Sequence, residues 1–265
     1  MRLVAFAVLT VALVAYVGLA LLVWAAQERL IFAAPLARGL PSVVGAEVWR
    51  LEAPAGPLLA LYFEASPGAP TVVHFHGNAE ELADLVGAFQ ELRAQGLGVL
   101  GVEYPGYGGA AGTPSERSIL EAAELALGRL RTRGVAPERT VLEGQSLGTG
   151  VAAEMARRGH GAKLLLLSPF TSMVEMARLQ VPWLPVSLLL RHRFDTALKA
   201  PELSLPVLIL HGTRDDVVPV AMGKRLSTLF PNARLELIEG ADHGGLLAAR
   251  VRPMAERIAR FAREP

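Results

Sequence analysis

The sequence contains no cysteine among its 265 residues. This absence excludes disulfide bonds, a cysteine nucleophile and metal sites that depend on thiolates. An excess of charge of either sign is also lacking, because 26 Lys and Arg residues nearly balance 25 Asp and Glu residues. The chain therefore lacks the basic surface that is typical of nucleic-acid-binding proteins. It also has no zinc-protease helix, phosphate-binding loop or metal-ligand cluster, so we expect no cofactor and no metal.

A long hydrophobic run is present at the N-terminus. Residues Leu3 to Ala26 carry no charge, and a helix of this length spans a hydrocarbon core of about 30 Å. A cleaved signal peptide is the alternative, but its apolar region is usually about 7 to 15 residues long. Here the run is longer, and bulky Trp24 stands beside the small residues of the best cleavage site. The run therefore predicts an uncleaved, single-pass membrane anchor.

Residues 1–34 are predicted to be this anchor and its linker, and residues 35–265 one catalytic domain. The hydrophobic content of 52% is ample for a large core. The very short tail before the anchor favours a catalytic domain outside the cytoplasm. If the first segment is only an anchor, its removal should leave a soluble, active protein.

Strand-like and helix-like segments alternate along residues 35–265. Two apolar segments, 46–51 and 58–63, predict an antiparallel pair of strands. Further strands are predicted at 71–75, 98–103, 139–143, 162–167, 206–210 and 234–238, and helices at 80–95, 115–133, 220–230 and 246–262. This alternation indicates an α/β fold with a mostly parallel sheet and helices on both faces.

The stretch RTVLEGQSLGTG, residues 139–150, joins a strand end to a helix through a Gly-x-Ser-x-Gly turn. Its strained backbone would lift the hydroxyl of Ser146 above the sheet, so Gly144 and Gly148 must leave room around it. The alternative is a glycine-rich turn whose serine only caps the helix. The nucleophile interpretation is favoured by the helix start, which would direct N–H groups at an oxyanion.

Two later segments place polar residues directly after predicted strands. HGTRDDVVP carries Asp215 and Asp216, and EGADHGG carries His243. Ligands of such sheets bind outside the carboxyl ends of the strands, so these residues should approach Ser146. An acid can orient an imidazole that deprotonates a serine, and the order Ser, acid, His is that of α/β-hydrolases. His211, directly before a glycine, is expected instead to pack or to bind the backbone.

The matching segments QERLIF, HFHGNAE, EYPGYGGAAGTPSE, GQSLGTG, SPFTSM, PWLPVSLLLRHRFD, HGTRDDVVP and GADH cover most of the chain. Together they resemble α/β-hydrolase serine hydrolases, in particular a membrane-anchored group of bacterial esterase-like proteins and eukaryotic protein depalmitoylases. The resemblance implies the α/β-hydrolase fold, Ser146 as nucleophile, His243 as base and Asp215 as acid. It also implies an oxyanion hole formed by the backbone N–H groups of Asn78 and Leu147.

Two residues depart from the family's usual pattern. Glu103 replaces an aspartate before YPGYG, and Ala110 replaces a serine after it. Neither belongs to the triad, so they affect loop details and substrate choice. The resemblance predicts hydrolysis of carboxylic esters or thioesters, while a serine peptidase or a non-catalytic binding protein on the same fold are alternatives.

The segment 169–203 interrupts the strand and helix alternation and carries many apolar residues. The alternative is that these residues pack on the sheet as an ordinary helix, and this is expected for about half of them because a helix buries only one face. An insertion at this place would also lie over the active site, where Met173, Met176 and Trp183 are predicted to line a substrate pocket. With the anchor, this pattern favours a small-molecule or lipid-like substrate with a hydrophobic acyl group near a membrane.

A dinucleotide-binding protein is a further alternative. Residues 106–111 and 148–153 both match G-x-G-x-x-A. Neither match has the acidic residue that such a motif requires about 20 residues later. The sequence therefore disfavours an oxidoreductase.

Overall fold

The computed structural model describes residues 1–248 and 252–264. The strands are β1 Ala46–Leu51, β2 Leu58–Phe63, β3 Thr71–Phe75, β4 Gly98–Val102, β5 Thr140–Gln145, β6 Lys163–Leu167, β7 Val207–Gly212 and β8 Ala233–Ile238. The helices are α1 Arg2–Ile31, α2 Leu82–Ala94, α3 Glu116–Thr132, α4 Leu147–Arg157, α5 Met173–Gln180, α6 Val186–Leu189, α7 Thr196–Lys199, α8 Val220–Leu229, α9 His243–Ala248 and α10 Arg252–Arg263.

The strands form one sheet in the order β1-β2-β4-β3-β5-β6-β7-β8. Strands β1, β2 and β4 are joined by antiparallel pairing, and every other pairing is parallel. The predicted α/β class and the antiparallel opening are confirmed. The helix predicted at 246–262 is instead described as α9 and α10, and its residues 249–251 lie outside the described residues.

Buried apolar side chains cover both faces of the sheet. One core joins β-strand residues to α3 and α4, for example Val73 and Leu142 to Leu127 and Val151. The other core joins the opposite face to α2 and α10, where Phe89 and Ile258 pack. The central strands are buried along their whole length, as expected for parallel strands covered by helices on both sides. The carboxyl ends of these strands therefore meet at one edge.

Helix α1 stands apart from these cores. Its 30 residues have a mean hydropathy of 2.6 in the most apolar window, and only 6% of that window is buried. By length and composition this helix can cross a membrane, as an anchor or as a signal sequence. A 14-residue segment without regular structure, 32–45, follows it.

Two glycines allow the close packing between β5, β3 and α4. A Cβ atom on Gly144 would lie 2.3 Å from the carbonyl oxygen of Gly148. A Cβ atom on Gly148 would lie 2.0 Å from the carbonyl oxygen of Phe75 in β3. Both neighbours are backbone atoms, which cannot rotate away as a side chain can. The turn between β5 and α4 can therefore form only with glycine at these positions.

Gly148→Ala is expected to lower the free energy of unfolding by about 3 kcal/mol or more, because the added methyl group forces two backbones apart. Gly128→Ala is the matched control, since this exposed glycine lies in α3 and its added Cβ would meet no atom within 4 Å. That change should stabilise by about 0.5 to 1 kcal/mol. Chemical unfolding of both variants measures the difference, and equal effects would contradict the close-packing argument.

Candidate active site

Three polar side chains lie at the carboxyl edge of the sheet. Ser146 follows β5, Asp215 follows β7, and His243 follows β8 at the start of α9. These strands are neighbours or near neighbours in the order β5-β6-β7-β8. The chain topology therefore brings together residues that are up to 97 positions apart in the sequence.

Ser146 occupies a strained turn between β5 and α4. Its backbone angles are φ 48° and ψ −113°, a region that residues with side chains rarely adopt and that is associated with functional sites. The Ser146 N–H donates to the carbonyl of Leu167 in β6 at 2.9 Å, which fixes the turn against the sheet. The Ser146 side chain makes no capping hydrogen bond to α4. The alternative of a serine that serves only as a helix cap therefore has no support.

Asp215 and His243 form a hydrogen-bonded pair. Nδ1 of His243 lies 2.9 Å from Oδ2 and 3.0 Å from Oδ1 of Asp215. The carboxylate also accepts hydrogen bonds from the N–H groups of Val217, at 3.0 Å, and Val218, at 2.7 Å. The Asp215 side chain is fully buried, and that of His243 is 14% exposed. The carboxylate is thus immobilised, while the imidazole stays partly exposed.

The surroundings of Asp215 favour its ionised form. Burial by itself raises the pKa of a carboxyl group. The hydrogen bonds from His243 and from the Val218 N–H outweigh burial and lower the pKa of Asp215 to about 2. Asp215 is therefore a carboxylate throughout the physiological range. A charged acceptor at this position requires the proton of His243 to be on Nδ1, which leaves Nε2 as the ring atom free to act on Ser146.

The neighbouring candidates occupy different environments. Asp216 is exposed to solvent. His211 is fully buried, and its Nε2 lies 2.9 Å from the carbonyl oxygen of Val218, as expected for a histidine that binds the backbone. Burial lowers the pKa of His211, so its ring is neutral at physiological pH. Of the two adjacent acids, Asp215 is the one that contacts a histidine of this edge.

The backbone donors proposed for an oxyanion lie beside Ser146. Asn78 and Leu147 line the same cavity as Ser146. Within residues 1–248 and 252–264, their N–H groups donate no hydrogen bond to the protein. Two donors without an acceptor, one of them at the first turn of α4, provide a suitable place for a negatively charged oxygen.

The loop His76-Gly77-Asn78 is held from several sides. The Tyr104 hydroxyl donates to the carbonyl of His76 at 2.8 Å, and the two rings stack with centroids 3.8 Å apart. The Tyr107 hydroxyl donates to Oδ1 of Asn78 at 2.7 Å. Burial raises the pKa of Tyr107, so this donor keeps its proton. The YPGY segment thus positions the loop that carries Asn78.

Glu103, one of the two departures from the family pattern, supports the same loop. Its carboxylate is fully buried, lies 3.0 Å from Nε2 of His76 and accepts the N–H of Leu82 at 2.9 Å. A Cβ on Gly108 would lie 2.1 Å from Oε2 of Glu103, so the glycine makes room for the longer acid. The Glu103 position is therefore part of the support for the loop and not of the substrate cavity.

A cavity of about 430 Å³ opens beside Ser146. Met173 and Met176 of α5 line this cavity. The lining is otherwise dominated by apolar side chains from the segment 169–203, from α1 and from the loop after β7: Val23, Trp24, Leu30, Ile31, Phe170, Ala177, Val181, Leu184, Val186, Leu189, Leu190, Val217 and Val218. This volume and this lining are typical of a site for a small apolar ligand.

Trp183 does not line this cavity. Its side chain is 51% exposed, and its ring packs edge-on against Tyr16 of α1 with centroids 6.4 Å apart. The turn that connects α5 to α6 directs Trp183 towards α1 and away from Ser146. The predicted role of Trp183 in substrate binding is thus not supported by its position, whereas the α1 residues of the cavity were not predicted.

Among the described residues, no group of three or more His, Asp or Glu side chains is arranged to hold a metal ion.

Comparison with known proteins identifies the class. No family model matches the chain. It resembles an esterase from Pyrococcus furiosus with a TM-score of 0.64 and 16% identity, over 86% of this chain and 97% of that one. It is 33% identical to alpha/beta hydrolase domain-containing protein 17C of Xenopus tropicalis over 76% of this chain, and spans 65% of that protein's length. The fold is thus the α/β-hydrolase fold.

Full-length similarity gives the family. The chain is 34% identical to the uncharacterized protein Rv2307c of Mycobacterium tuberculosis, over 96% of this chain and 94% of that protein. The chain belongs to the family of this mycobacterial protein. The resemblance to α/β-hydrolases predicted from the sequence is confirmed.

Proposed function

We propose that the protein is a serine hydrolase that cleaves carboxylic esters or thioesters of hydrophobic acyl groups. The observation that carries this proposal is the strained Ser146 turn at the same sheet edge as the His243 and Asp215 pair. A strained serine without a capping bond has no evident structural purpose, and strain of this kind is kept where a function requires it.

In the proposed reaction, Nε2 of His243 takes the proton of Ser146 as Oγ attacks the substrate carbonyl carbon. Asp215 fixes the imidazole tautomer and stabilises the imidazolium. The carbonyl oxygen becomes an oxyanion held by the N–H groups of Asn78 and Leu147. His243 then protonates the leaving alcohol or thiol as its bond to the acyl carbon breaks. Water, deprotonated by His243, releases the acid and restores Ser146.

No hydrogen bond joins Ser146 to His243 among the described residues. This agrees with the proposed mechanism, since catalytic hydrogen bonds in unliganded sites are often long and shorten when substrate binds. The hydrogen bond between His243 and Asp215 is already formed. The hydrogen bond between Ser146 and His243 would form when substrate binds.

The apolar cavity supports a hydrophobic acyl substrate. Each methylene group buried in it contributes up to about 0.8 kcal/mol to binding. Met173 and Met176 are flexible enough to accommodate chains of different shape. A peptide would instead require polar groups along the cleft for its amide bonds, and the lining offers few besides Gln27 and Gln180.

The proposed location is a membrane, with α1 as a single uncleaved span and the catalytic domain on the extracytoplasmic side. The length and hydropathy of α1 support a span. Its last residues also contact the rest of the protein, for example through Gln27, whose Nε2 donates to the carbonyl of Leu189 at 3.3 Å. A cleaved signal peptide would have no reason to form such contacts. The substrate would then be lipid-like and held near the bilayer.

Ser146→Ala and His243→Ala are each expected to reduce turnover of a thioester and an oxyester by several orders of magnitude, because triad members act as one unit. Ser146→Ala should also abolish labelling by a fluorophosphonate probe. Asp215→Asn should remove most activity, while the matched change Asp216→Asn should retain it. The opposite ranking of the two acids would contradict the assignment, and Ser146-independent turnover would contradict the proposed function.

Activity on p-nitrophenyl esters should rise with acyl length until the cavity is full, by up to about fourfold in kcat/KM per methylene group. Met176→Ala should lower kcat/KM for the longer esters and leave the acetyl ester unchanged. Leu179→Ala is the control, since Leu179 lies on the same helix, is 55% exposed and does not line the cavity. Activity that is highest on acetyl and falls with each added carbon would overturn the acyl-pocket proposal.

The absence of cysteine permits a direct test of topology. A single Ser66→Cys change places a thiol on an exposed turn of the catalytic domain. With an extracytoplasmic domain, a membrane-impermeant maleimide should label this variant in intact cells. Labelling only after lysis would place the domain inside. A mature N-terminus near residue 27, found by mass spectrometry, would contradict the uncleaved span.

A further inference from the structure

Helix α1 has two parts with different surroundings. From Leu3 to Leu22 most large side chains are exposed, including Leu3 at 85% and Leu22 at 64%. These 20 residues already extend about 30 Å, enough to cross the hydrocarbon core. From Val23 onward the helix faces the catalytic domain, where Val23, Trp24 and Leu30 line the cavity that contains Ser146. The last turns are thus not needed to cross the membrane.

Gln27 joins these last turns to the segment 169–203 through hydrogen bonds. Its side chain is only 3% exposed. Its Nε2 donates to the carbonyl of Leu189 at 3.3 Å, and its Oε1 accepts the N–H of Arg191 at 2.8 Å. The guanidinium of Arg191 lies over the ring of Trp24 at 5.0 Å. Burial of an amide side chain is destabilising unless its oxygen and its nitrogen both form hydrogen bonds. The two bonds of Gln27 therefore fix the rotation of α1 about its axis relative to the segment 169–203.

The chain just after the helix contacts the proposed oxyanion loop. Nδ2 of Asn78 donates to the carbonyl of Ile31 at 2.6 Å, and Oδ1 of Asn78 accepts the N–H of Ala33 at 2.9 Å. Between them, the buried ring of Phe32 packs edge-on against His192 and Phe194. The side chain of Asn78 is therefore held by the end of α1 on one side and by Tyr107 on the other.

We propose that the end of helix α1 and the two residues after it, together residues 23–33, are part of the acyl site and set the length of acyl chain that the enzyme accepts. This inference rests on the proposed hydrolase function. Val23 and Leu30 form one wall of the cavity and α5 forms the opposite wall, so the acyl chain lies between the membrane helix and the segment 169–203. Ile31 and Ala33 are positioning residues, which act on the reaction through Asn78.

Two features distinguish this role from that of a tether. A tether needs an apolar span and a flexible connection, but no buried amide and no contact with Asn78. The packing of Val23 to Ala33 also argues against the expectation that removal of residues 1–34 leaves a fully active enzyme. That truncation would remove one wall of the cavity and two of the three partners of the Asn78 side chain.

Val23→Trp and Leu30→Trp test the wall in the full-length protein, purified in detergent and assayed on esters from acetyl to palmitoyl. Each added indole would displace the end of a long acyl chain. Loss of contact for two methylene groups should lower kcat/KM on the longest esters by roughly tenfold or more, chiefly through KM. The ratio of kcat/KM on the longest esters to kcat/KM on the acetyl ester should therefore fall in both variants. Leu22→Trp is the matched control, because Leu22 is exposed and does not line the cavity.

Segment replacement provides a second test. Substituting residues 3–22 by an unrelated alternating Leu and Ala span should preserve the acyl-length profile. Substituting residues 23–30 in the same way should flatten it, because Val23 and Leu30 would no longer shape the wall of the cavity. If the wild type hydrolyses no ester through Ser146, the proposed function fails. If it does, but both tryptophan variants and both replacements keep the wild-type profile, helix α1 is only a tether and this inference is overturned.

Discussion

The close approach of helix α4 to strand β3 is the constraint on which the site depends. Gly148 allows the helix to start where a Cβ atom would lie 2.0 Å from the Phe75 carbonyl. This contact brings the first turn of α4, with the N–H of Leu147, next to the loop that follows β3. The two backbone donors beside Ser146 come from these two elements, so their separation is set by how closely the backbones pack. A bulkier residue at Gly148 would move one donor relative to the other.

The loop after β3 is held by two other parts of the protein. Asn78 contacts Tyr107 and the end of α1 through its side chain, and it lines the cavity that contains Ser146. Glu103 contacts the ring of His76, and the Tyr104 hydroxyl donates to the His76 carbonyl. The loop is thus fixed by groups from two distant segments, residues 31–33 and 103–107. Such contacts would hold the proposed oxyanion donor in place without reorganisation during the proposed reaction.

The sequence predicts the local parts of this arrangement well. Strands β1, β2 and β3 begin and end where the apolar pattern predicts, because their periodicity and flanking turns are local signals. Ser146, Asp215 and His243 follow strands of one parallel sheet, so topology alone predicts their proximity. Long-range packing could not be predicted in this way. Trp183 is large and apolar, as residues of a ligand pocket often are, yet the turn before α6 directs its side chain towards Tyr16.

The proposed role of the last turns of α1 could not be predicted from the sequence either, because it also depends on long-range packing. Val23, Trp24 and Leu30 are as apolar as the rest of the helix, and apolar side chains suit both lipid and a protein cavity. Gln27 was the available signal, since an amide at the end of a membrane helix suggests a specific partner. With the proposed span of 20 residues in the bilayer and the next turns at the cavity, the depth of the helix in the membrane and the position of the proposed acyl site could not vary independently. A shorter or longer span would then strain the Gln27 and Asn78 contacts, and membrane thickness would constrain the geometry around Ser146.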